Sequence, residues 1–403
     1  MTNDEGNTND QMTKKRSETF SRHSDFACHA VATRRRVIPA ALDIRHSSLA
    51  GRLISNATQL AGLIGQIEAV ARVAIDTEAD SLHCYREKLC LLQISLPGDD
   101  YIVDPLADLD VAPLSAALEQ KEIVLHGADY DLRMLRRGLN FIPRRIFDTV
   151  IAARLLGIRE FSLAALVKRY FGLELPKGSQ KANWARRPLP AQMLEYAMND
   201  THYLLPLVEC LESQLREHHR LDWLRQSCQR AIEQAAVHRA RDEDELWRIR
   251  GSGSLRGREA AVMRALWQWR EKEAEVADRP PFHILQNHEL LNAAVAFASG
   301  NVPHYRHFSP RRCHAFRQAA QSAMQLPESE WPVSRRRVGR RPGPETVRAT
   351  EGLRRRRDQA ARELNLEPSF IAPRTTLEAI ATNQTRAASL LVSWQQELLG
   401  VRA

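Results

Sequence analysis

Cysteine is scarce in this sequence. The six present (Cys28, Cys84, Cys90, Cys210, Cys228 and Cys313) are scattered, with no pair at C-x-x-C spacing. That argues against a zinc ribbon and a disulfide-stapled scaffold and leaves reduced thiols used for packing. Long apolar runs are also missing: none reaches the roughly 20 residues needed to cross a bilayer. The opening stretch, Met1 to Phe20, is polar, contains acids and lacks the apolar segment of a secretory signal. These absences predict a cytoplasmic protein that makes no membrane contact, and nothing in the pattern demands an obligate protein partner.

What is present describes a multidomain chain. At 403 residues it is too long for one core, and 43% hydrophobic with 27% charged residues is ordinary globular composition. The net charge of +9 is unevenly spread: from Arg335 to Ala403 there are 14 Arg, no Lys and 7 acids, a local excess of +7. A near-neutral core with a basic appendage fits an enzyme that handles a polyanion, although a solvated basic tail has the same composition.

Along the chain, residues 1–48 are polar and aperiodic and are expected to be disordered. A helix is expected from Thr58 to Ala69, then strands at Val73–Asp76, Leu89–Leu96 and Tyr101–Val103, with Pro97-Gly98-Asp99-Asp100 as a turn. A helix at Leu114–Gln120 and a strand at Ile123–His126 follow. Helices are then expected at Asp129–Arg137, Thr149–Leu156 and Ser162–Phe171, and from Pro190 to about His219. This order predicts an α/β layer structure with a mixed sheet. After Arg241 the pattern is all helical: Glu243–Ile249, Arg258–Val276, Glu289–Ala298 and Arg311–Met324. One repeat appears at an offset of 87 residues: Pro281, Ile284, Leu290 and Ala294 are echoed by Pro368, Ile371, Leu377 and Ala381, and Leu266 by Leu353.

The chemistry starts at Ile75-Asp76-Thr77-Glu78-Ala79-Asp80. Side chains alternate along a strand, so Asp76 and Glu78 share a face. Two acids at the end of a buried strand repel unless a cation lies between them, and oxygen ligands suit Mg²⁺ or Mn²⁺. Alone, D-x-E is a weak signal, because strand ends often carry solvated acids. Two later features strengthen it. Val124-Leu125-His126-Gly127-Ala128-Asp129-Tyr130-Asp131 reads as a strand turning into a helix with Asp131 in its first turn. In Tyr196-Ala197-Met198-Asn199-Asp200, a phenol and a carboxylate at i and i+4 share one helical face.

This ordered set resembles the DEDD exonuclease superfamily in its Tyr-containing branch, and within it the ribonuclease D family. Asp76-Thr77-Glu78-Ala79-Asp80-Ser81-Leu82 and Leu89-Cys90-Leu91-Leu92-Gln93-Ile94 match its first motif and second strand, and His126 to Leu132 match its second motif. Arg145-Ile146-Phe147-Asp148-Thr149 and Phe161 to Leu166 look like the intervening helices. Trp184, Arg187-Pro188-Leu189 and Tyr196 to Asp200 look like the last motif and its approach. Trp247-Arg248-Ile249, Leu266, Trp269-Arg270-Glu271 and Pro280-Pro281-x2-Ile284-Leu285 resemble an HRDC module.

The resemblance implies an RNase H-like mixed-sheet 3′–5′ exonuclease domain followed by all-α HRDC-like domains. The expected divisions are a nuclease at 49–241, an HRDC-like unit at 242–326, a Pro/Arg-rich linker at 327–344 and a divergent basic copy at 345–403. It also implies that Asp76, Glu78, Asp131 and Asp200 hold two divalent ions (Mg²⁺ or Mn²⁺) about 4 Å apart, with Tyr196 orienting the attacking water. The implied partner is an RNA 3′ end, such as that of a tRNA precursor, and the products are nucleoside 5′-monophosphates. The rival readings are a single-stranded DNA exonuclease and an inactive RNA-binding module; the intact acids and Tyr196 argue against the latter.

Smaller features carry two readings each. Lys177, Lys181, Trp184, Arg186 and Arg187 read as a cationic, aromatic grip on single-stranded RNA, or as a solvated loop with one packed Trp. His126 is better read as a satisfied core histidine, Asp148 as a helix N-cap and Asp80 as a non-ligand. Trp267 and Trp269 read as core. The Arg354–Arg357 run is either a phosphate contact or an exposed helix face.

Overall fold

The structure, a computed structural model, describes residues 52–176, 178, 181–237, 245–333 and 342–401. The tail expected at 1–48, Lys177 and the linker residues 334–341 lie outside them. Among the described residues, no helix is long and apolar enough to cross a membrane.

The first half is a six-stranded mixed sheet flanked by helices. In chain order its elements are β1 (Leu53–Ile54), α1 (Ala57–Glu68), β2 (Arg72–Ala79), β3 (Leu89–Leu96), β4 (Asp99–Val103), α2 (Ala112–Leu118), β5 (Glu122–Leu125), α3 (Asp129–Leu139), β6 (Arg145–Asp148), α4 (Thr149–Leu155), α5 (Leu163–Phe171), α6 (Ala191–His202), α7 (Leu204–Glu217) and α8 (Leu221–Ala236). The strand order is β1-β4-β3-β2-β5-β6, and β3 runs antiparallel to both its neighbours. β2, the strand that carries the paired acids, therefore sits inside the sheet, with Val73, Ala74 and Ile75 fully buried.

Three expectations need correction. Arg145–Asp148, read as the start of a helix, is edge strand β6, paired in parallel with β5; four residues are too few to show a period. The single helix expected from Pro190 to His219 is broken at Tyr203 into α6 and α7. Pro206 has no N–H to offer the carbonyl of His202, so the chain restarts with proline in the first turn, where that donor is not needed. Over its described part, the helix expected at Glu243–Ile249 is a 3₁₀ residue and turns. Helix α8 adds to the expected set, burying Leu224, Cys228, Ile232 and Ala235 along one stripe.

The rest is helical: α9 (Gly257–Val276), α10 (Pro281–Ile284), α11 (Asn287–Ala298), α12 (Pro310–Met324), α13 (Pro344–Glu363), α14 (Pro368–Ile371), α15 (Arg374–Thr382), α16 (Ala387–Leu390) and α17 (Ser393–Leu399). The 87-residue echo is structural. The bounds of α9 and α10 recur, shifted by that offset, as those of α13 and α14. In α9, Arg270 Nη1 donates to Leu285 O at 3.2 Å, and in α13, Arg357 Nη1 donates to Ala372 O at 3.0 Å. One member of the Arg354–Arg357 run is thus a packing device, while Arg354, Arg355 and Arg356 remain exposed. Trp269 is buried and Trp267 packs beside it, as core.

The two copies are used differently. Residues Trp247 to Ala323 enclose their own apolar cluster. Part of the expected linker joins this unit: Trp331 Nε1 donates to Leu326 O, and Arg248 donates to Val333 O. The second copy shares one continuous core with the six-stranded sheet. Trp394 stacks on Trp223 of α8 (centroids 4.8 Å apart, planes within 11°) and donates from Nε1 to Ser227 Oγ at 3.1 Å. Buried Arg220 donates to Leu155 O at 2.5 Å and to Leu364 O at 3.0 Å, stitching both sides.

Trp394→Ala empties a fully enclosed site, so it is expected to cost about 3–5 kcal/mol. Denaturant unfolding of the full chain measures this. The sheet core should lose stability with the second copy, and an unshifted transition of the sheet domain would refute the shared core.

Candidate active site

Asp76 and Glu78 project from the same face of β2 where it leaves the sheet, and both are half-buried. The pairing with β3 shifts register between Glu78 and Ala79, so the strand ends just beyond the acids. Asp80 is not part of the cluster. It is buried, accepts from Lys88 N at 2.9 Å and pairs with Lys88 Nζ at 3.2 Å, which closes the hairpin between β2 and β3.

Asp200 comes from α6, which lies against β2, β3 and β4. The two residues after it are pinned to the sheet. Thr201 Oγ1 lies 2.7 Å from Ser95 Oγ, and His202 Nδ1 lies 2.8 Å from Asp100 Oδ2. Asp76, Glu78 and Asp200 each present a carboxylate oxygen within 4.8 Å of the other two. Tyr196, one turn earlier, hydrogen-bonds the Asp200 carboxylate.

Asp131 stands in the first turn of α3, reached through Gly127 at φ +80°. Its Oδ1 accepts from Thr77 Oγ1 at 2.6 Å. It lines the same cavity of about 720 Å³ as the other three acids and Tyr196. The turn before it is held by Asp148, whose carboxylate accepts from Gly127 N (3.1 Å) and Ala128 N (2.9 Å) while also capping α4 through Val150 N and Ile151 N. The N-cap reading of Asp148 is therefore right, and the same carboxylate also organises the turn into α3. His126 is bonded through Nδ1 to Thr149 Oγ1 at 2.8 Å, and burial pushes its pKa down. It is a satisfied histidine on the cavity wall.

The electrostatics are those of acids without a counter-charge. Burial, then the charges of Asp131, Asp200 and Glu78, hold Asp76 well above the ordinary carboxylate range. Burial with Asp200 and Asp131 pushes Glu78 up to about 9. Burial raises Asp200 to about 7 against the Tyr196 hydrogen bond, and Asp131 to about 6 against the Thr77 bonds. No Lys or Arg is among the described residues lining the cavity. The donor set is all hard oxygen, so divalent cations of the Mg²⁺ and Mn²⁺ type fit it.

The cationic loop departs from expectation. Trp184 is 1% exposed and packs with Cys90, Leu91, Ile102 and Met198, so it has no free face for a base. Its ring instead backs Tyr196, with centroids 6.2 Å apart. Arg187 is held by Asp104 through two bonds of 2.6 Å and also donates to Trp184 O and Cys90 O. Lys181 and Arg186 remain exposed, and Lys177 lies outside the described residues. Gly178 also lies against the Tyr196 ring, where a Cβ would fall 1.7 Å from ring atom Cδ2. Sequence reasoning missed the roles of Gly178, Thr77 and the Asp148 turn; a glycine in a cationic loop was the one visible hint.

A mixed sheet with two acids at the end of an inner strand, facing an acid and a tyrosine on a crossing helix, defines a metal-dependent 3′–5′ exonuclease. The family model for 3′–5′ exonucleases matches residues 52–216, and the HRDC domain model matches residues 259–297. The chain is 33% identical to ribonuclease D of Zymomonas mobilis over 252 residues, 60% of this chain and 63% of that one. It is 26% identical to ribonuclease D of Haemophilus influenzae over 370 residues, 86% of this chain and 90% of that one. It also matches an exosome complex component 10 homolog of Drosophila melanogaster at 30% over 251 residues, 60% of this chain but 28% of that longer protein. The fold is that of Escherichia coli RNase D, with a TM-score of 0.66 and 22% identity over 86% of this chain and 96% of that one. The chain is thus similar to ribonuclease D proteins over most of its length, with a 3′–5′ exonuclease domain followed by an HRDC domain.

The raised acids set a sign for pH dependence. Each binds its proton more tightly folded than unfolded, so its contribution is full below the ordinary pKa near ~4 and is lost as pH rises through the folded value. The metal-free chain is therefore expected to lose stability as pH rises from about 4 through the folded values of Asp131 (about 6), Asp200 (about 7) and Glu78 (about 9). Melting temperature against pH, with and without Mg²⁺, checks this. Saturating Mg²⁺ should flatten the decline, as should Glu78→Gln in part. A melting temperature that climbs over the window in the metal-free chain would contradict the electrostatics.

Proposed function

We propose that this chain trims RNA from its 3′ end one nucleotide at a time, using two divalent ions held by Asp76, Glu78, Asp131 and Asp200. It is a metal-dependent 3′–5′ exoribonuclease. The observation that carries the site assignment is the convergence of Asp76, Glu78 and Asp200 within 4.8 Å, with no cationic side chain among the described residues of that cavity.

When bound, the cations supply Lewis acidity, which makes water nucleophilic near neutral pH and stabilises charge on the leaving oxygen. The chain's own residues do the rest. The four carboxylates set where the cations sit. Tyr196 orients the attacking water by hydrogen bonding, since a phenol with a pKa near ~10 is a poor base. Trp184 and the close backbone of Gly178 restrict its ring for this. The water oxygen bonds to phosphorus as the P–O3′ bond breaks, releasing a nucleoside 5′-monophosphate and leaving a new 3′ hydroxyl. No covalent enzyme intermediate is needed.

Precursors of tRNA and other small structured RNAs in the cytoplasm are the substrates we favour, in line with the ribonuclease D relatives. Lys181 and Arg186 stand exposed on the loop before α6 and would contact the RNA backbone. We divide the chain into a nuclease domain (49–241), an HRDC-like domain whose packing continues to Val333, and a second basic HRDC-like unit (345–403) docked on the nuclease.

RNA labelled at either end, incubated with Mg²⁺ with and without EDTA, tests the polarity. Mononucleotides should leave the 3′ label at once and the 5′ label last, and EDTA should stop both. Asp76→Ala should abolish hydrolysis with RNA binding kept; undiminished hydrolysis rejects the site. Faster digestion of matched DNA oligonucleotides would reject RNA as the substrate.

A further pair of variants addresses Tyr196. Tyr196→Phe should lower kcat by about 10²-fold or more with KM little changed, the scale of a positioned proton-handling group. Gly178→Ala should do the same by displacing the ring. Parent-like kcat in both would remove Tyr196 from the mechanism.

A further inference from the structure

Gln93 lies at the middle of β3, a strand buried along its whole length. It is 0% exposed, and neither its Nε2 nor its Oε1 has a hydrogen-bond partner. A Leu or Met fills the same space without desolvating two donors and an acceptor. A buried amide orphaned on both atoms is rare enough in a folded core to call for a partner.

The register of the sheet narrows the choice. Gln93 stands directly opposite Asp76 of β2 on one side and Ile102 of β4 on the other. Residues directly opposite one another in an antiparallel pair share a face, with Cβ atoms about 4.5–5.5 Å apart. Two residues away along β3, on that same face, are Leu91 and Ser95. Ser95 is engaged, its Oγ lying 2.6 Å from Asp100 Oδ1 and 2.7 Å from Thr201 Oγ1. Leu91 and Ile102 have no polar side-chain atom, and they pack with Ala197 and Met198 of α6. Among these neighbours, the one polar group still open is the Asp76 carboxylate. Asp76 turns one oxygen towards Glu78 and Asp200, and a carboxylate has a second oxygen to offer.

We infer that Gln93 is a positioning residue for Asp76: its amide N–H donates to the Asp76 carboxylate when that residue holds a cation, fixing which oxygen faces the cluster. This rests on the reading of Asp76 as a cation ligand. Groups that orient a metal ligand from behind are tied to both metal affinity and rate, and a neutral donor adds no charge to a crowded acidic site.

The test uses the full chain and Gln93→Met, which keeps the length of the side chain and removes the amide. Mn²⁺ affinity is read by calorimetric titration and by the rise in melting temperature on adding Mn²⁺, with Asp76→Asn in parallel. Gln93→Met should melt at or above the parent without metal, because an orphaned amide has gone. It should bind Mn²⁺ about 10- to 100-fold more weakly, with a matching fall in kcat. A residue that only filled the core would leave Mn²⁺ affinity untouched. Parent-like affinity in Gln93→Met, alongside lost binding in Asp76→Asn, overturns the role of Gln93 and leaves the cluster standing. Parent-like affinity in Asp76→Asn overturns the cation site and this inference together. If Gln93→Met does not fold, Gln93→Leu puts the same question.

Discussion

Repulsion among half-buried carboxylates is the constraint around which this structure is arranged. Burial raises the proton affinity of all four acids, and repulsion adds to it: Asp131, Asp200 and Glu78 act on Asp76, Asp200 and Asp131 act on Glu78, and Asp131 acts on Asp200. No cation among the described cavity residues relieves it. The cluster is held by elements whose stability lies elsewhere: an inner strand with three fully buried residues before the first acid, and a helix pinned by Ser95, Thr201, Asp100 and His202. Such a site is costly for the chain by itself and well suited to divalent cations, and that is the physical content of metal dependence here.

Each acid is positioned by a different kind of local device. Strand alternation aligns Asp76 with Glu78. A carboxylate that bonds two consecutive backbone amides and caps a helix, that of Asp148, organises the turn that delivers Asp131. A buried tryptophan and a bare glycine hold the tyrosine that accompanies Asp200. Gln93, directly across from Asp76, differs in leaving both atoms of its amide unpartnered.

In the helical half, one arrangement of helices occurs twice and packs differently each time. Arg270 and Arg357, at matching positions, tie matching carbonyls. The first copy keeps a separate core and touches the nuclease through the hairpin after β2. There, Tyr85 N donates to Asp278 Oδ1 at 3.2 Å, and Arg86 pairs with Glu275. The second copy merges its core with that of the nuclease. The described part of the basic region, residues 342–401, therefore shares its core with the sheet domain.

Sequence alone determined the features that depend on neighbours in the chain. These are the alternating acids of β2, the i, i+4 pairing of Tyr196 with Asp200, the cap at Asp148 and the 87-residue echo, because local geometry has only two simple periods. The tertiary structure decided what depends on partners far along the chain. It took Trp184 from a candidate stacking surface into the core and bound Arg187 to Asp104. It made Arg145–Asp148 an edge strand, and it brought Asp131 and Asp200 to the end of β2. A periodic pattern reports which side of an element is apolar, but not which distant surface will cover it. Those pairings arise from complementary packing, and only the folded chain contains them.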